Sequence, residues 1–166
     1  MTAIVEAGAR RCLFLDRDGV INAAPPEGKY IRRWADFRLL PEAVSWIRLF
    51  KAAGYLAIVI TNQRGIALGV MSHADLIELH EKMRIELAAR GAILDDIYYC
   101  PHEEGACDCR KPRPGLVWQA QQKWNIDLSA SLLIGDSQRD RLLAERCRIP
   151  FALVREGRVV DTSTHP

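Results

Sequence analysis

The chain alternates short apolar runs with longer segments in which apolar residues recur at helical spacing. The short runs are bounded by polar or turn-forming residues, as strands are. They predict five strands, at residues 12–16, 56–61, 97–100, 132–136 and 151–154. Strands separated by helices in this way are typical of parallel sheets with crossover connections. We therefore expect an α/β fold, a three-layer sandwich in which a central parallel sheet lies between two layers of helices.

Helical patterns fill the intervals between the predicted strands. They predict helices over residues 41–53, between Ser72 and Gly91, and over residues 114–124 and 138–148. The Ser72 hydroxyl can accept a free backbone N–H at the start of its helix, and Gly91 allows the backbone conformation that ends one. The segment after Arg155 predicts either an edge strand or a frayed tail. Residues 22–36 predict a long loop beside the first strand, a common place for ligand recognition.

Composition limits the classes of function open to this chain. Its 166 residues fit a single domain, 1–166, with a core at about residues 12–154. The 23 basic and 21 acidic residues nearly balance, which argues against a nucleic-acid surface. No run is long enough to span a bilayer, and residues 1–11 lack the apolar core of a signal peptide. We therefore expect a cytoplasmic monomer that acts on a small molecule and binds neither nucleic acid nor membrane.

Polar residues that follow the predicted strands carry the candidate chemistry. In chain order they are Asp16 with Asp18, Thr61-Asn62-Gln63, Arg110-Lys111-Pro112 and Gly135-Asp136, with Asp140 close behind the last pair. Right-handed crossovers bring the carboxyl ends of parallel strands to one rim, so these groups should share a small site. Close carboxylates repel unless a cation sits among them, and oxygen ligands suit Mg²⁺. The set fits phosphoryl transfer to a carboxylate, although each residue taken singly is also an ordinary strand-end cap or a solvated charge.

A cysteine-rich loop offers a second metal site. Its candidate ligands lie within residues 100–109, the zinc loop, and are Cys100, His102, Cys107 and Cys109. Sulfur and imidazole ligands in this number suit a closed tetrahedral Zn²⁺ site, which is structural rather than catalytic. The alternative is a set of reduced thiols beside a surface histidine. Because Arg110 and Lys111 follow directly, a bound zinc would also fix these two cations. The remaining cysteines, Cys12 and Cys147, lie in apolar patterns and are expected in the core.

These motifs resemble those of a known family. Asp16-Arg17-Asp18-Gly19-Val20, Thr61, Lys111 and Gly135-Asp136 match, in order, the motifs of the haloacid-dehalogenase-like (HAD) phosphatases. Residues 16–22, 61–69 and the zinc loop with Arg110-Lys111-Pro112 resemble more closely the D-glycero-D-manno-heptose-1,7-bisphosphate 7-phosphatases, whose sister group is the histidinol-phosphate phosphatases. The resemblance covers roughly residues 12–154. It implies a Rossmann-like HAD fold with a zinc-braced loop.

The resemblance also implies a role for each matching residue. Asp16 would attack phosphorus and form an aspartyl-phosphate, while Asp18 would protonate the leaving oxygen and later deprotonate water. Mg²⁺ would be held by the side chains of Asp16 and Asp136 and by the backbone carbonyl of Asp18. Thr61 and Lys111 would stabilise the phosphoryl group. The residues expected to bind substrate are Arg17, Asn22, Asn62, Gln63, Arg64 and Arg110.

The expected activity is hydrolysis of the 7-phosphate of heptose 1,7-bisphosphate. Arg64 and Leu68 depart from the heptose-enzyme pattern, in which serine and arginine are usual, so histidinol phosphate remains an alternative substrate. No large cap domain is expected, because neither residues 22–36 nor the stretch from Thr61 to Cys100 is long enough for one.

Two alternatives come from other classes of function. Signalling receiver domains also combine a phosphorylated aspartate, a threonine and a lysine on a parallel sheet. A receiver normally lacks an acid two residues beyond its phosphoacceptor, which is where Asp18 stands, and turnover needs an acid there. A zinc-braced binding module without activity would leave four residues unexplained, namely Asp16, Asp18, Lys111 and Asp136.

Overall fold

Six strands form one sheet in the computed structural model, which describes residues 8–164. The strands are β1 Cys12–Leu15, β2 Leu56–Asn62, β3 Asp96–Cys100, β4 Leu132–Gly135, β5 Phe151–Arg155 and β6 Arg158–Ser163. Their order across the sheet is β3-β2-β1-β4-β5-β6, with the first five strands parallel and β6 antiparallel to β5. The segment after Arg155 is therefore an edge strand. The expectation for residues 1–11 falls mostly on residues 1–7, outside the described residues.

Helices cover both faces of the sheet. They are α1 Pro41–Ala52, α2 His73–Ala89, α3 Gly115–Trp124 and α4 Gln138–Cys147. Ile47 of α1 and Met83 of α2 join a buried cluster with Leu13 on one face. Leu143 of α4 joins a second cluster with Phe14 on the other, where α3 also packs. Alternate residues of β1 thus point to opposite helix layers, as the period of a strand requires, and the predicted three-layer α/β sandwich is confirmed.

The inserted segments of the chain are small. In residues 8–164 the loop 22–36 carries only a 3₁₀ turn at Trp34–Asp36, and no domain is inserted between β2 and β3. This agrees with the expected lack of a large cap. None of the helices in the described range has the length and apolar character needed to cross a bilayer.

Two helices begin with the same hydrogen-bonded arrangement. The Ser72 hydroxyl of α2 accepts the backbone N–H of Asp75, whose carboxylate accepts the Ser72 N–H in return. Ser137 and Asp140 repeat this capping box at the start of α4. The predicted cap at Ser72 is confirmed. In α4 the capping box additionally places a fully buried carboxylate, that of Asp140, beneath the end of β4.

Gly19 allows the turn after β1 to pass close to the end of β4. Its φ is +84°, in the left-handed region, and a Cβ at this position would overlap the Asp136 carboxylate. Because β1 ends at Leu15, Asp16 and Asp18 lie in this turn rather than in the strand. The glycine therefore lets the first and last acidic segments of the site meet.

Candidate active site

The ends of the central strands surround one cavity of about 330 Å³. The predicted site residues that line it are Asp16, Asp18, Thr61, Asn62, Arg64, Arg110, Lys111 and Asp136. Asp16 and Asp18 follow β1, Thr61 lies at the end of β2 and Asp136 follows β4. The parallel topology thus gathers side chains that are far apart in the sequence. We refer to Asp16, Asp18, Lys111 and Asp136 as the catalytic rim.

Lys111 is the buried cation of the rim. Its Nζ lies 2.9 Å from Asp16 Oδ1 and 2.7 Å from Asp140 Oδ1. Burial by itself would lower the pKa of Lys111, but the charges of Asp140 and Asp16 outweigh it and raise that pKa above its ordinary value. The lysine is therefore charged at neutral pH and is aimed at the Asp16 carboxylate.

Three carboxylates converge beside this lysine. Oxygen atoms of Asp16, Asp136 and Asp140 all lie within 4.8 Å of one another. Burial, followed by the negative charge of Asp140, raises the pKa of Asp136 to about 6. Burial and the negative charges of Asp140 and Asp136 also raise the pKa of Asp16, although the positive charge of Lys111 opposes this. A divalent cation bound between these carboxylates would relieve the repulsion between their negative charges. A set of ligands made only of oxygen atoms fits Mg²⁺.

Asp140 is already engaged by other groups. Its Oδ1 accepts from Lys111, and its Oδ2 accepts from the hydroxyl and backbone N–H of Ser137. Asp16 and Asp136 are therefore the carboxylates free to ligate an ion. Asp140, which the sequence placed only near this site, orients Lys111.

Asp18 is held from behind by buried donors. Arg17 donates to both of its oxygens, Asn22 Nδ2 donates to Oδ1 at 2.9 Å, and Gln63 Nε2 donates to Oδ2 at 3.3 Å. All three donors were predicted to bind substrate. Their side chains are buried and absent from the cavity wall, because each has turned to Asp18 instead. The structure thus places them as supports of the acid rather than as walls of the cavity.

Reciprocal hydrogen bonds join β2 to the segment that carries Lys111. Asn62 Nδ2 donates to the Lys111 carbonyl at 3.1 Å, and Lys111 N–H donates to Asn62 Oδ1 at 3.0 Å. Thr61 Oγ1 accepts from Gln63 Nε2 at 2.9 Å, which orients the hydroxyl at the cavity. The end of β2 therefore fixes both the threonine and the backbone of the lysine.

Arginines form the outer wall of the cavity. Arg64 lies 3.6 Å from Glu103 in an ion pair, yet its buried Nε has no partner among the described residues. Nη1 of Arg110 is likewise buried and unpartnered within residues 8–164. Buried N–H groups without an acceptor are rare in folded proteins, so these two indicate a binding place for an anion. Both arginines were predicted to bind substrate, and the structure places both in the cavity wall.

Sequence reasoning missed several residues that line the cavity. They are Ala24, Tyr30, Glu104, Ser137 and Arg139. Tyr30 had a signal, since it is an aromatic residue in the long loop 22–36 beside the first strand end. Arg139 lies in the first turn of α4, shortly after Asp136. Its sequence position gave no signal, because whether its side chain faces the cavity depends on where the helix begins.

The zinc loop brings its ligands together. Sγ of Cys100 and Sγ of Cys107 are 3.5 Å apart, and Sγ of Cys109 lies 3.3 Å from Nδ1 of His102. All four ligand atoms lie within 4.8 Å of one another. Three sulfurs and one imidazole nitrogen at such separations fit a tetrahedral Zn²⁺ site. The cysteines outside this cluster, Cys12 and Cys147, lie in the core as expected.

The zinc loop packs tightly against the start of α3. A Cβ on Gly115 would lie 2.6 Å from the carbonyl oxygen of Asp108, so only glycine fits at this contact. Arg113 also donates a hydrogen bond to the Cys107 carbonyl. Lys111 lies between these two contacts in sequence. The zinc loop, Lys111 and the start of α3 therefore form one connected segment.

Comparison with known proteins gives a consistent result. The family profile described as HAD-hydrolase-like matches residues 108–165. D-glycero-beta-D-manno-heptose-1,7-bisphosphate 7-phosphatase of Photorhabdus laumondii is 40% identical over 159 residues, which are 90% of this chain and 83% of the relative. D-glycero-alpha-D-manno-heptose-1,7-bisphosphate 7-phosphatase of Mycobacterium tuberculosis is 41% identical over 141 residues, 83% of this chain and 73% of the relative.

A solved structure extends this similarity to three dimensions. It is the D,D-heptose 1,7-bisphosphate phosphatase of B. bronchiseptica, crystallised with magnesium and phosphate. It has a TM-score of 0.80 and 32% identity to this chain, and the match covers 86% of this chain and 79% of that one. The two proteins therefore share one fold over most of this chain.

Proposed function

Because the chain belongs to the HAD phosphatases, in the group of the D-glycero-D-manno-heptose-1,7-bisphosphate 7-phosphatases, we propose that it removes the 7-phosphate of heptose 1,7-bisphosphate. The observation that carries this proposal is the convergence of all four ordered motifs on one cavity that also presents two unpartnered arginine N–H groups. The similarity to phosphatases of this name, over 90% of the chain for one of them, supports it. The general activity is that of a Mg²⁺-dependent phosphatase.

Asp16 is the proposed nucleophile. An oxygen of its carboxylate attacks phosphorus, the bond from phosphorus to the sugar oxygen breaks, and an aspartyl-phosphate forms. Lys111, 2.9 Å from this carboxylate, neutralises charge that moves onto the phosphoryl oxygens. The Thr61 hydroxyl donates to the same group.

Asp18 is the proposed acid and base. A sugar alkoxide is a poor leaving group, so Asp18 gives it a proton as the bond breaks and then takes one from the water that hydrolyses the aspartyl-phosphate. Oδ1 accepts three hydrogen bonds, from Arg17 Nε and Nη2 and from Asn22, whereas Oδ2 accepts two, from Arg17 Nη2 and, at 3.3 Å, from Gln63. Oδ2 is therefore the less saturated oxygen and the one proposed to carry the transferred proton. General acid and base help of this kind is worth about a hundredfold to ten-thousandfold in rate.

The side chains of Asp16 and Asp136, with the backbone carbonyl of Asp18, are the proposed Mg²⁺ ligands. The raised pKa values of Asp16 and Asp136, and the distance of less than 4.8 Å between their carboxylate oxygens, support the assignment of these two side chains. When bound, the ion offsets negative charge that develops in the transition state. Asp140 takes no direct part, because Lys111 and Ser137 occupy its oxygens.

Arg64 and Arg110 are the proposed ligands of the second phosphate. Both line the same cavity as the rim, and both have a buried N–H group without a partner in the described part of the chain. A guanidinium binds phosphate through parallel hydrogen bonds, and a bisphosphate would supply the missing acceptors. Histidinol phosphate has a single phosphate and offers no second anion to this wall.

Kinetics with paired substrates test the proposal. Both anomers of heptose 1,7-bisphosphate are compared with histidinol phosphate through kcat/KM, for wild type and for Arg110→Gln. We expect the bisphosphate to be preferred by wild type, and Arg110→Gln to lower kcat/KM for it by about tenfold to a hundredfold while changing that for histidinol phosphate little. A higher kcat/KM for histidinol phosphate would overturn the substrate assignment.

The remaining proposals concern the setting of the enzyme. We place it in a reducing compartment, the cytoplasm, because its cysteines are unpaired and three of them suit zinc as thiolates. We also propose that residues 1–166 act as one domain and as a monomer, since the rim, the arginine wall and the zinc loop are complete within one chain.

A further inference from the structure

A buried histidine lies behind the catalytic rim without an assigned role. His80 is in the middle of α2 and is 6% exposed. Its Nε2 lies 3.2 Å from Nη1 of Arg17, and its ring meets the Tyr99 ring edge to face at 5.9 Å between centroids. His80 does not line the active-site cavity. Within residues 8–164, the hydrogen bond that links His80 to the site is the one to Arg17.

Arg17 connects this histidine to Asp18. Its side chain is fully buried, and its Nε and Nη2 donate to the Asp18 carboxylate at 2.9 to 3.1 Å. Nη1, the remaining arm of the guanidinium, points to His80. Because the guanidinium is planar and rigid, fixing one arm also fixes the direction of the other two.

The chemistry of the contact defines the state of His80. Arginine has only donors, so Nε2 must be the acceptor and the ring proton must be on Nδ1. Burial, followed by the positive charge of Arg17, lowers the pKa of His80 to about 3, which keeps the ring neutral. A charged histidine at this place could not accept the bond. The residue is thus a neutral acceptor at a buried guanidinium.

We propose that His80 is a positioning residue for the acid Asp18, which it aims at the leaving oxygen by holding the guanidinium of Arg17. This inference rests on the proposed role of Asp18. Without the acceptor, one arm of a buried guanidinium loses its hydrogen bond, and the arginine must tilt or recruit another group to satisfy it. A tilt moves both oxygens of Asp18, and small misplacements of a catalytic group reduce rates strongly.

The leaving group distinguishes this role from simple packing. Departure of a sugar alkoxide needs a proton from Asp18, whereas p-nitrophenolate leaves well without one. Because kcat/KM reports on steps up to departure of the leaving group, misplacement of the acid lowers it for a sugar phosphate and hardly at all for p-nitrophenyl phosphate. A general loosening of the fold lowers both alike.

The experiment compares His80→Leu, His80→Gln and the control His73→Leu on both substrates. His73 lies on the same helix and contacts the same Tyr99, through its hydroxyl at 3.1 Å, but does not reach Arg17. We expect His80→Leu to lower kcat/KM about tenfold to a hundredfold for heptose bisphosphate and less than about twofold for p-nitrophenyl phosphate. His80→Gln, whose amide oxygen can replace Nε2, should restore most of the loss, and His73→Leu should resemble wild type.

Two outcomes would overturn the inference. One is an equal loss on both substrates, and the other is a failure of His80→Gln to recover activity although it unfolds at the same temperature as wild type. If His80→Leu does not fold, His80→Asn replaces it, since its shorter amide stops short of Arg17. If wild type does not hydrolyse heptose bisphosphate, the function proposal fails, and the His80 comparison then uses an alkyl phosphate that wild type does hydrolyse.

Discussion

The catalytic rim and the zinc loop hold their polar side chains by opposite means. In the rim, buried partners fix each group, as Asp140 fixes Lys111 and Arg17 fixes Asp18. In the zinc loop, His102 is exposed and two of the cysteines are half-buried, so we expect a shared metal rather than burial to order them. The difference predicts that buried protein groups order the side chains of the rim, whereas a bound metal orders the zinc loop that precedes Lys111 in the sequence.

Removal of the nucleophile should give the largest effect and leave the rim folded. We expect Asp16→Asn to lower kcat by about ten-thousandfold or more, since an amide cannot form the aspartyl-phosphate. Folding raises the pKa of Asp16, so its charge costs stability at neutral pH, and in metal-free buffer the variant should unfold at the same or a higher urea concentration. Phosphate release and urea unfolding measure the two quantities. Near-normal turnover would contradict the role of Asp16, and unfolding of the variant would break the comparison.

Loss of a buried support should instead destabilise the rim. Asp140→Asn keeps the size of the side chain but removes the charge that pairs with Lys111, leaving a buried lysine with Asp16 alone. We expect the free energy of unfolding to fall by about 3 kcal/mol, as measured in urea. Asp75→Asn is the matched control, because Asp75 has the same capping position in α2 but is exposed and forms no ion pair with a lysine of the described chain. Equal losses in both variants would assign the effect to capping alone.

Disruption of the zinc loop should lower activity because the loop and the adjoining Lys111 segment become less ordered. We expect Cys107→Ser, or removal of zinc by a chelator, to lower kcat/KM about tenfold to a hundredfold and to expose residues 100–109 to proteolysis. Cys147→Ser is the control, since this thiol lies in the core and outside the cluster. Zinc content is measured on the same samples. Full activity in protein shown to lack zinc would refute the link between the loop and Lys111.

The smallest expected effect is a loss of stability in acid that comes from His80, which supports the rim and not the zinc loop. His80 keeps a pKa of about 3 in the fold, so between that value and its ordinary 6.5 the unfolded chain binds a proton that the folded chain does not. Stability from this residue is thus present at pH 7 and is lost as the pH falls, by about 2 kcal/mol at pH 5. Urea unfolding at both pH values, compared between wild type and His80→Leu, isolates it. Identical pH dependence in the two proteins would disprove the buried neutral state.

Features that depend on short stretches of sequence could be predicted, whereas features that depend on contacts between distant segments could not. Asp16 and the zinc ligands were found because their spacing and strand-end position are properties of short stretches. Asp140 was placed only near the site, since its bond to Lys111 depends on how α4 packs under β4. His80 lies among apolar residues at helical spacing and carries no signal in the sequence for its contact with Arg17. Arg17, Asn22 and Gln63 were predicted to bind substrate, whereas in the structure they are buried behind Asp18 and outside the cavity wall, because burial decides which way each side chain turns.

The capping box of α4 makes the first turn of this helix a reporter of the active site. The amides of Ser137 and Asp140 are bonded within the same group of atoms that holds Lys111. Fraying of that turn therefore releases the lysine, and a phosphate ligand that binds only the closed arrangement must oppose it. Hydrogen exchange at these two amides would then read occupancy of the site directly, without a chemical reaction having to take place.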